Sequence, residues 1–580
     1  MGGVKMVLGL NILIGGEAGQ GIQSLGIILA RTMTHGGLHV FADQDYESRV
    51  RGGHNFFRVR LSDKKLSTFS KELDVLVALN RETVTIHDNE LRDGGFIIND
   101  AEQTKVQANE KKYFNVPMGR IAEVSVKNKL MSNTVAVGAI IGLCGFDFSL
   151  LENVLRKEFA RHGEKIVKDN ITAAQAGFIY AQDHSEYNLG HKIHTVSGSA
   201  TRILINGNEA LALGAMVGGC KFIAGYPMTP ATSILEYMAT KGQDYDVVAV
   251  HTEDEIAAVN MAVGASYTGI RAMVATSGGG FCLMEEGLSL AGITETPLVL
   301  VLAQRPGPAT GLPTRTEQGD LWFALHAGHG EFPRAILAPA TVDEAFHMII
   351  KAFNIAEKYQ TPVIILTDHY LATSYATVDR FNLSEVVIDR GDLVDGKKLS
   401  NGKDYRRHIV TDSGISPRAF PGQNNVLVVT DSDEHDESGH MIEDAETRNL
   451  QNLKRLRKLT GMKAVMNSPK IHKVSGAELT LIGWGSTFGA ISEAAALLQE
   501  DGIAANVLHL AEIWPFPEEA VTSALDNGTK KIIIEGNASA QMAQLIRRET
   551  GIIIDNYILK FDGRSFSPKD IVDRIKKEVL

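Results

Sequence analysis

Four short segments of this chain set polar side chains among turn residues, each directly after an apolar run. In Tyr226-Pro-Met-Thr-Pro230, Thr229 can cap a following helix with Pro230 at N1, where its missing N–H costs nothing. Alternatively, its hydroxyl and the free amides of the helix start can hold an anionic group. Thr252-Glu-Asp-Glu255 fits a capping box with Glu255 at N3, or aims the Glu255 carboxylate at a ligand, with Ala257, Ala258 and Ala262 leaving room for close approach. Ser277-Gly278-Gly279-Gly280 strips the backbone so that a flat or phosphorylated ligand can come near. The segment from Gln304 to Gln318 carries Arg305, Thr314 and Arg315 among prolines and glycines. Its guanidinium groups suit carboxylates, which they grip in bidentate fashion, while a solvated loop is the plainer account.

Other constellations say less. Gly16-x-x-Gly19-x-Gly21 has the reverse glycine order of a dinucleotide fingerprint, so a phosphate loop and a structural turn are equally open. His435, Asp436, Glu437 and His440 are too loosely spaced for a metal site and read as a solvated charged stretch. The three cysteines, Cys144, Cys220 and Cys282, form no CxxC pair, so no metal or cluster is expected on this chain. Neither Gly-x-Ser-x-Gly nor a P-loop occurs.

The elements that must position these residues alternate. Strands are expected at Phe222–Gly225, Val247–His251, Ala272–Thr276, Leu298–Leu302 and Val363–Thr367, with helices at Asn208–Gly218, Pro230–Thr240 and Glu253–Tyr267. Repeated βα units predict an α/β fold of several doubly wound, mostly parallel sheets, whose ligands gather at strand carboxyl ends. A similar opening, strand Asn11–Ile14, helix Ile22–Thr34 and strand His39–Ala42, begins an N-terminal unit over 1–185. A linker over 186–199, a domain over 200–378, an irregular charged segment over 379–470 and a last α/β domain over 471–580 complete the expected order. The 580 residues are enough for several domains, and 56 glycines suit many tight strand–helix turns.

Charge and hydropathy exclude some classes. The balance 58 − 69 = −11 with no basic block gives no nucleic-acid footprint. The apolar run Val135–Gly145 is too short to span a membrane. The N-terminal run ending at Ile14 imitates a signal peptide but enters the glycine loop without an Ala-x-Ala site, so a cytoplasmic protein is expected.

Taken in order, Tyr226-Pro-Met-Thr-Pro230, Thr276-Ser-Gly-Gly-Gly280, Gln304-Arg-Pro-Gly-Pro…Gly-Leu-Pro-Thr-Arg-Thr-Glu-Gln318 and Glu434-His-Asp-Glu-Ser-Gly-His440 resemble the alpha subunit of 2-oxoacid:ferredoxin oxidoreductases, closest to the 2-oxoglutarate type. Residues 1–185, with Gly15-Gly-Glu-Ala-Gly-Gln-Gly21 and Glu47-Ser-Arg-Val-Arg-Gly-Gly53, resemble that family's gamma domain fused in front. Met228 stands where isoleucine is usual. The resemblance implies transketolase-like pyrimidine-binding and C-terminal domains, and thiamine diphosphate shared with a beta subunit that holds the diphosphate, Mg2+ and a [4Fe–4S] cluster. This chain agrees with that division: Gly391-Asp-Leu393 with Asn424-Asn425 lacks the last glycine of a diphosphate motif.

By the same resemblance Glu255 faces the aminopyrimidine ring, where a carboxylate sharing a proton with the ring nitrogen favours the imino form that activates the coenzyme. Thr229 and Arg305 fall at the substrate carboxylate and 2-oxo group, Thr314 lines the substrate pocket, and Ser277, Gly278 and Gly279 fall at the cofactor. Arg315 is a candidate for a distal carboxylate without family support. The implied reaction is oxidative decarboxylation with coenzyme A as acyl acceptor and ferredoxin as electron acceptor, in a dimer of alpha-beta heterodimers, and the gamma-like unit helps to cover coenzyme A. From another class, a nucleotide- or flavin-binding dehydrogenase predicts a coloured or nicotinamide-bearing chain, and a non-catalytic scaffold subunit retains the fold without turnover.

Overall fold

The computed structural model describes residues 9–48, 52–106, 112–187, 189, 195–196, 202–394, 405–424 and 426–580. Most of the expected 186–199 linker, residues 49–51 of the Glu47–Gly53 motif and Asn425 lie outside the described residues. The chain forms two compact units, one of residues 1–205 with 374–381 and one of residues 206–373 with 382–580.

The first unit is built on an eight-stranded sheet. Strand Gly9–Ala18 pairs in parallel with Leu73–Ala78, which continues in parallel to Leu91–Asn99 and Tyr113–Asn115. On its other side it pairs antiparallel with Gly52–Ser62, which separates it from His39–Asp45. The opening strand, helix Ile22–His35 and next strand therefore occur as expected, but the two strands are not neighbours, and this sheet is mixed. Strand Tyr375–Asp379 adds antiparallel to His39–Asp45, so the chain beyond Ser374 returns to this unit rather than closing the preceding domain at 378. Helix Ser132–Cys144 is buried along most of its length, and Gly138 and Gly177 allow close packing on Glu164–His184, since a Cβ on Gly138 would strike the Ala174 carbonyl.

The glycine loop is accounted for locally. Gly21 takes φ 69° as the N-cap of Ile22–His35, Gly19 takes φ 93°, and Gly16 lies inside the strand with the Gln20 side chain folded over it. Gln20 Oε1 in turn accepts from the Glu17 N–H at 2.7 Å.

The second unit holds a seven-stranded sheet whose order runs Glu512–Trp514, Ala335–Leu337, Pro362–Asp368, Leu298–Gln304, Ala272–Thr276, Phe222–Gly225, Val248–His251. All neighbours are parallel except the Glu512–Trp514 edge. Its central strands are continuous apolar runs buried on both faces, as a helix-covered parallel sheet requires. A five-stranded sheet of Lys470–His472, Ala505–Leu510, Leu479–Trp484, Lys530–Glu535 and Asn556–Leu559 follows. One apolar core joins it to the larger sheet, with Trp484, Leu508 and Ile533 beside Leu302 and Ile364.

The stretch read as irregular contains a 21-residue helix, Ala445–Val465, N-capped by Asp444. Its buried face is Gln451, Lys454, Arg455, Lys458 and Met462, so apolar periodicity could not reveal it. The face is bearable because its charges are paired. Glu295 receives Lys454 Nζ at 2.6 Å, Lys458 and His408, and Glu434 receives Arg455 and Arg448. His435 is likewise fully buried, its ring 4.0 Å from that of His408, which corrects its reading as part of a solvated segment.

Candidate functional site

The expected site residues occupy the carboxyl ends of neighbouring strands in the second unit, where helix N-termini and loops leave backbone groups unpaired. Glu255 is the first residue of helix Glu255–Tyr267, and Asp254 is the N-cap, its carboxylate accepting from the Ala257 N–H at 2.7 Å. The capping box is therefore not formed: Glu255 lies at N1 and its side chain is free of that duty. Glu255 is buried, and its Oε1 has no hydrogen-bond partner. A Cβ on Gly280 would sit 2.5 Å from that oxygen and would also strike the Thr276 hydroxyl. Ser277 is fully buried with an unpartnered Oγ at the end of strand Ala272–Thr276, which Phe222–Gly225 separates from Val248–His251. Two buried polar atoms without partners thus lie after strands Val248–His251 and Ala272–Thr276, on either side of Phe222–Gly225.

Thr229 does not cap a helix either. The helix that follows begins at Thr232, and its N-cap Ala231 makes no side-chain bond. Instead the Thr229 carbonyl accepts from Arg305 Nη1 at 2.6 Å, and Arg305 Nη2 reaches the Met228 sulfur at 3.5 Å. Met228 in turn lies 3.6 Å from where a Cβ on Gly279 would be. The Tyr226–Pro230 turn, the glycine turn and Arg305 are thus one packed group.

The Arg305 loop is pinned at its far end. Gln318 donates to the Trp484 carbonyl at 2.9 Å and accepts from the Gly536 N–H at 2.9 Å, and Asn537 donates to the Gln318 carbonyl. Thr314 is buried on this loop, but among the described residues no hydrogen bond joins its hydroxyl to Arg305 or Thr229. Arg315 packs its stem against Gly563 and donates to the Thr314 carbonyl.

Two further residues at these strand ends carried no spacing signal. Asp320 holds its carboxylate against Gly278, where a Cβ would come 2.8 Å from Oδ2. Burial pushes its pKa up to about 6 against the pull of Arg305. His369 follows the Pro362–Asp368 strand, and burial, with Arg315 and Arg305 nearby, pushes it down to about 3, so it is neutral at physiological pH. Burial lowers the Arg305 pKa while Asp320 raises it.

These groups fit a coenzyme that bears a ring nitrogen. Glu255 offers an unpaired carboxylate oxygen for a ring nitrogen, Ser277 to Gly280 present a backbone with little bulk, and Arg305 with Thr229 offers a cation and a hydroxyl for a carboxylate and a carbonyl. Among the described residues no helix is long and apolar enough to cross a membrane, and no group of three metal-ligating side chains gathers.

The chain matches three family models: pyruvate flavodoxin/ferredoxin oxidoreductase, thiamine diphosphate-binding, over residues 213–453; pyruvate ferredoxin/flavodoxin oxidoreductase over 11–180; and pyruvate:ferredoxin oxidoreductase core domain II over 477–571. It is 33% identical to a 2-oxoacid:ferredoxin oxidoreductase subunit alpha of Sulfolobus, over 98% of this chain and 97% of that one. It is 32% identical to 2-oxoglutarate synthase subunit KorA of Methanothermobacter thermautotrophicus, over 64% of this chain and 98% of the relative. Its fold superposes on 2-oxoglutarate:ferredoxin oxidoreductase from Magnetococcus marinus, a structure with 2-oxoglutarate, coenzyme A and succinyl-CoA bound, with a TM-score of 0.90 and 32% identity over 99% of this chain and 100% of that one. With near full-length similarity and a common fold, this chain belongs to the 2-oxoacid:ferredoxin oxidoreductase alpha-subunit family.

Proposed function

We propose that the chain is the catalytic alpha subunit, with a gamma-like unit fused at its N-terminus, of an enzyme that converts 2-oxoglutarate, coenzyme A and oxidised ferredoxin to succinyl-CoA, carbon dioxide and reduced ferredoxin, or runs the reverse carboxylation. It works only with a beta subunit, which holds the diphosphate of a shared thiamine diphosphate, its Mg2+ and a [4Fe–4S] cluster. The assembly is a cytoplasmic dimer of alpha-beta heterodimers. The observation that carries this is the buried, unpartnered Glu255 Oε1 beside the glycine turn.

Thiamine diphosphate, when bound, supplies the nucleophilic carbon for the 2-oxo group and takes the electron pair left by departing carbon dioxide. Glu255 shares a proton at Oε1 with the aminopyrimidine ring, a role that needs burial, because water would otherwise compete for the oxygen. Arg305, steadied by the Thr229 carbonyl, binds the substrate carboxylate, the Thr229 hydroxyl meets the 2-oxo group, and Thr314 lines the pocket. Ser277, Gly278 and Gly279 would hold the cofactor against their backbone. A partner at this end of the sheet accords with the exposed apolar side chains of Tyr226, Ile256 and Leu283 just beyond the strand carboxyl ends.

The choice of 2-oxoglutarate is supported by the names of the Methanothermobacter relative and the Magnetococcus structure. A broad-range or pyruvate-type enzyme is the second reading, favoured by the Sulfolobus relative, which is named for 2-oxoacids in general. Co-expression with the beta subunit, followed by coenzyme A-dependent ferredoxin reduction with 2-oxoglutarate, pyruvate and a branched 2-oxoacid, decides between them. Reduction with 2-oxoglutarate at the highest kcat/KM is expected. Faster reduction with pyruvate makes the second reading correct, and no reduction with any 2-oxoacid makes the chain a scaffold.

A further inference from the structure

Helix Ala445–Val465 is anchored at the end of the large sheet away from the candidate site. Lys454 and Lys458 reach Glu295, just before strand Leu298–Gln304. Lys458 Nζ also donates at 3.2 Å to the carbonyl of Gln360, just before the parallel strand Pro362–Asp368. Arg305 follows the other end of strand Leu298–Gln304, roughly 20 Å further on at about 3.3 Å per residue.

The helix inverts the usual burial of a surface helix. Its cationic side chains face the protein, while Leu450 and Leu453 stand 48% and 59% exposed. Glu446 and Arg457 are exposed too, and among the described residues neither joins an ion pair within the chain. At about 100° per residue, Glu446, Leu450, Leu453 and Arg457 lie within about 60° of arc, as one stripe. Their spacing of four, three and four residues reads the same from either end, with opposite charges outside and leucines between.

We propose that this stripe is where two copies of the alpha chain meet across a two-fold axis, with the two helices antiparallel and the axis passing between Gln451 and Asn452. Leu450 of each copy then packs on Leu453 of the other, and Glu446 of each meets Arg457 of the other. Symmetry makes each contact occur twice. This rests on the assembly being a dimer of alpha-beta heterodimers.

The physical reason is charge complementarity. A stripe that ends in a carboxylate on one side and a guanidinium on the other matches its own copy only when that copy runs the opposite way. Parallel helices would set Glu446 against Glu446 and Arg457 against Arg457, which like-charge repulsion forbids. The beta subunit is the less suitable occupant, because the coenzyme proposed to be shared with it lies at the other end of the sheet. The stripe alone is too small to hold a dimer, since a stable interface buries about 1,200–2,000 Å². It therefore sets the register and direction of a wider contact between alpha chains.

The test is sedimentation of the co-expressed alpha-beta complex over a range of concentrations. The native complex is expected at the mass of two alpha-beta pairs. Glu446→Arg and Arg457→Glu each create two like-charge contacts, and each should raise the dissociation constant between the halves by at least about tenfold. The variant carrying both exchanges should recover the native value. Leu453→Asp sets two carboxylates into the apolar centre and should raise the constant by at least about a hundredfold. The beta subunit should stay bound in every variant, and unchanged helical circular dichroism separates a lost contact from a loss of folding. A dimer indifferent to all four variants, or one that the double exchange does not restore, overturns the pairing. Release of the beta subunit in place of the second copy makes this face a beta-subunit surface and overturns it as well. A native complex that sediments as one alpha-beta pair at every concentration removes the dimer itself, so the proposal then falls with that reading rather than through the helix.

Discussion

Glu255 and Gly280 are packed as a pair: the Glu255 Oε1 atom lies 2.5 Å from where the first side-chain atom of any other residue at 280 would be. The third glycine of Ser277–Gly280 therefore serves the carboxylate, and the turn and the carboxylate are one device.

Gly280→Ala is expected to displace Glu255 rather than simply fill space, since the Thr276 hydroxyl blocks the other way out. A shift of about 1 Å in a catalytic group costs about 100-fold in rate. Steady-state assays of the assembled enzyme, with assembly checked by size-exclusion chromatography, measure it. Full activity in the variant would show that Glu255 tolerates movement.

Glu255→Gln keeps the shape and removes the ionisable oxygen. Turnover should fall by about 10²- to 10⁴-fold, the usual worth of a positioned acid–base group, while the subunits still assemble. Near-normal turnover removes Glu255 from the chemistry.

Arg305→Lys retains the charge but loses the fork that reaches both the Thr229 carbonyl and the Met228 sulfur. The two are not interchangeable at such a site. The KM for the 2-oxoacid should rise by at least about tenfold, a loss of about 1.4 kcal/mol, while the KM for coenzyme A stays constant. Equal rises in both would place Arg305 outside the substrate subsite.

Glu295 predicts a contrast in stability. Burial alone would raise its pKa, but Lys454, Lys458 and His408 hold it well below the usual carboxylate range. Its contribution is therefore present above the ordinary carboxylate pKa and is lost as pH falls through the depressed value. Glu295→Gln leaves two buried ammonium groups without their acid and should cost about 3–5 kcal/mol, seen as a drop in melting temperature. Lys458→Met should cost far less, because Glu295 keeps Lys454 and burial has already pushed Lys458 down to about 8. Equal losses for the two variants would refute this division of roles.

Much of the second unit could be read from residue order. The strands Phe222–Gly225 and Ala272–Thr276 occur with the boundaries their apolar runs predict, since a buried parallel strand is a short apolar run that ends where the turn begins. The helix starts were harder. Asp254 outcompetes Thr252 as the cap, and Thr229 turns its carbonyl to Arg305, because a capping motif records what a side chain can do locally while a partner 76 residues away decides what it does. Helix Ala445–Val465 was illegible, because its buried face is cationic and only Glu295 and Glu434, from distant segments, make such burial tolerable.

Residue types and their order were enough to place hydroxyl, carboxylate, glycines and guanidinium after successive strands, and so at one end of a parallel sheet, because a crossover helix returns the chain to the same edge each time. Which of them touch was settled by the spatial order of the strands, which interleaves early and late segments. That order sets Asp320 on Gly278, Glu255 against Gly280 and Arg305 under Thr229. Such contacts depend on distances between loops far apart in the chain, and no local spacing encodes them.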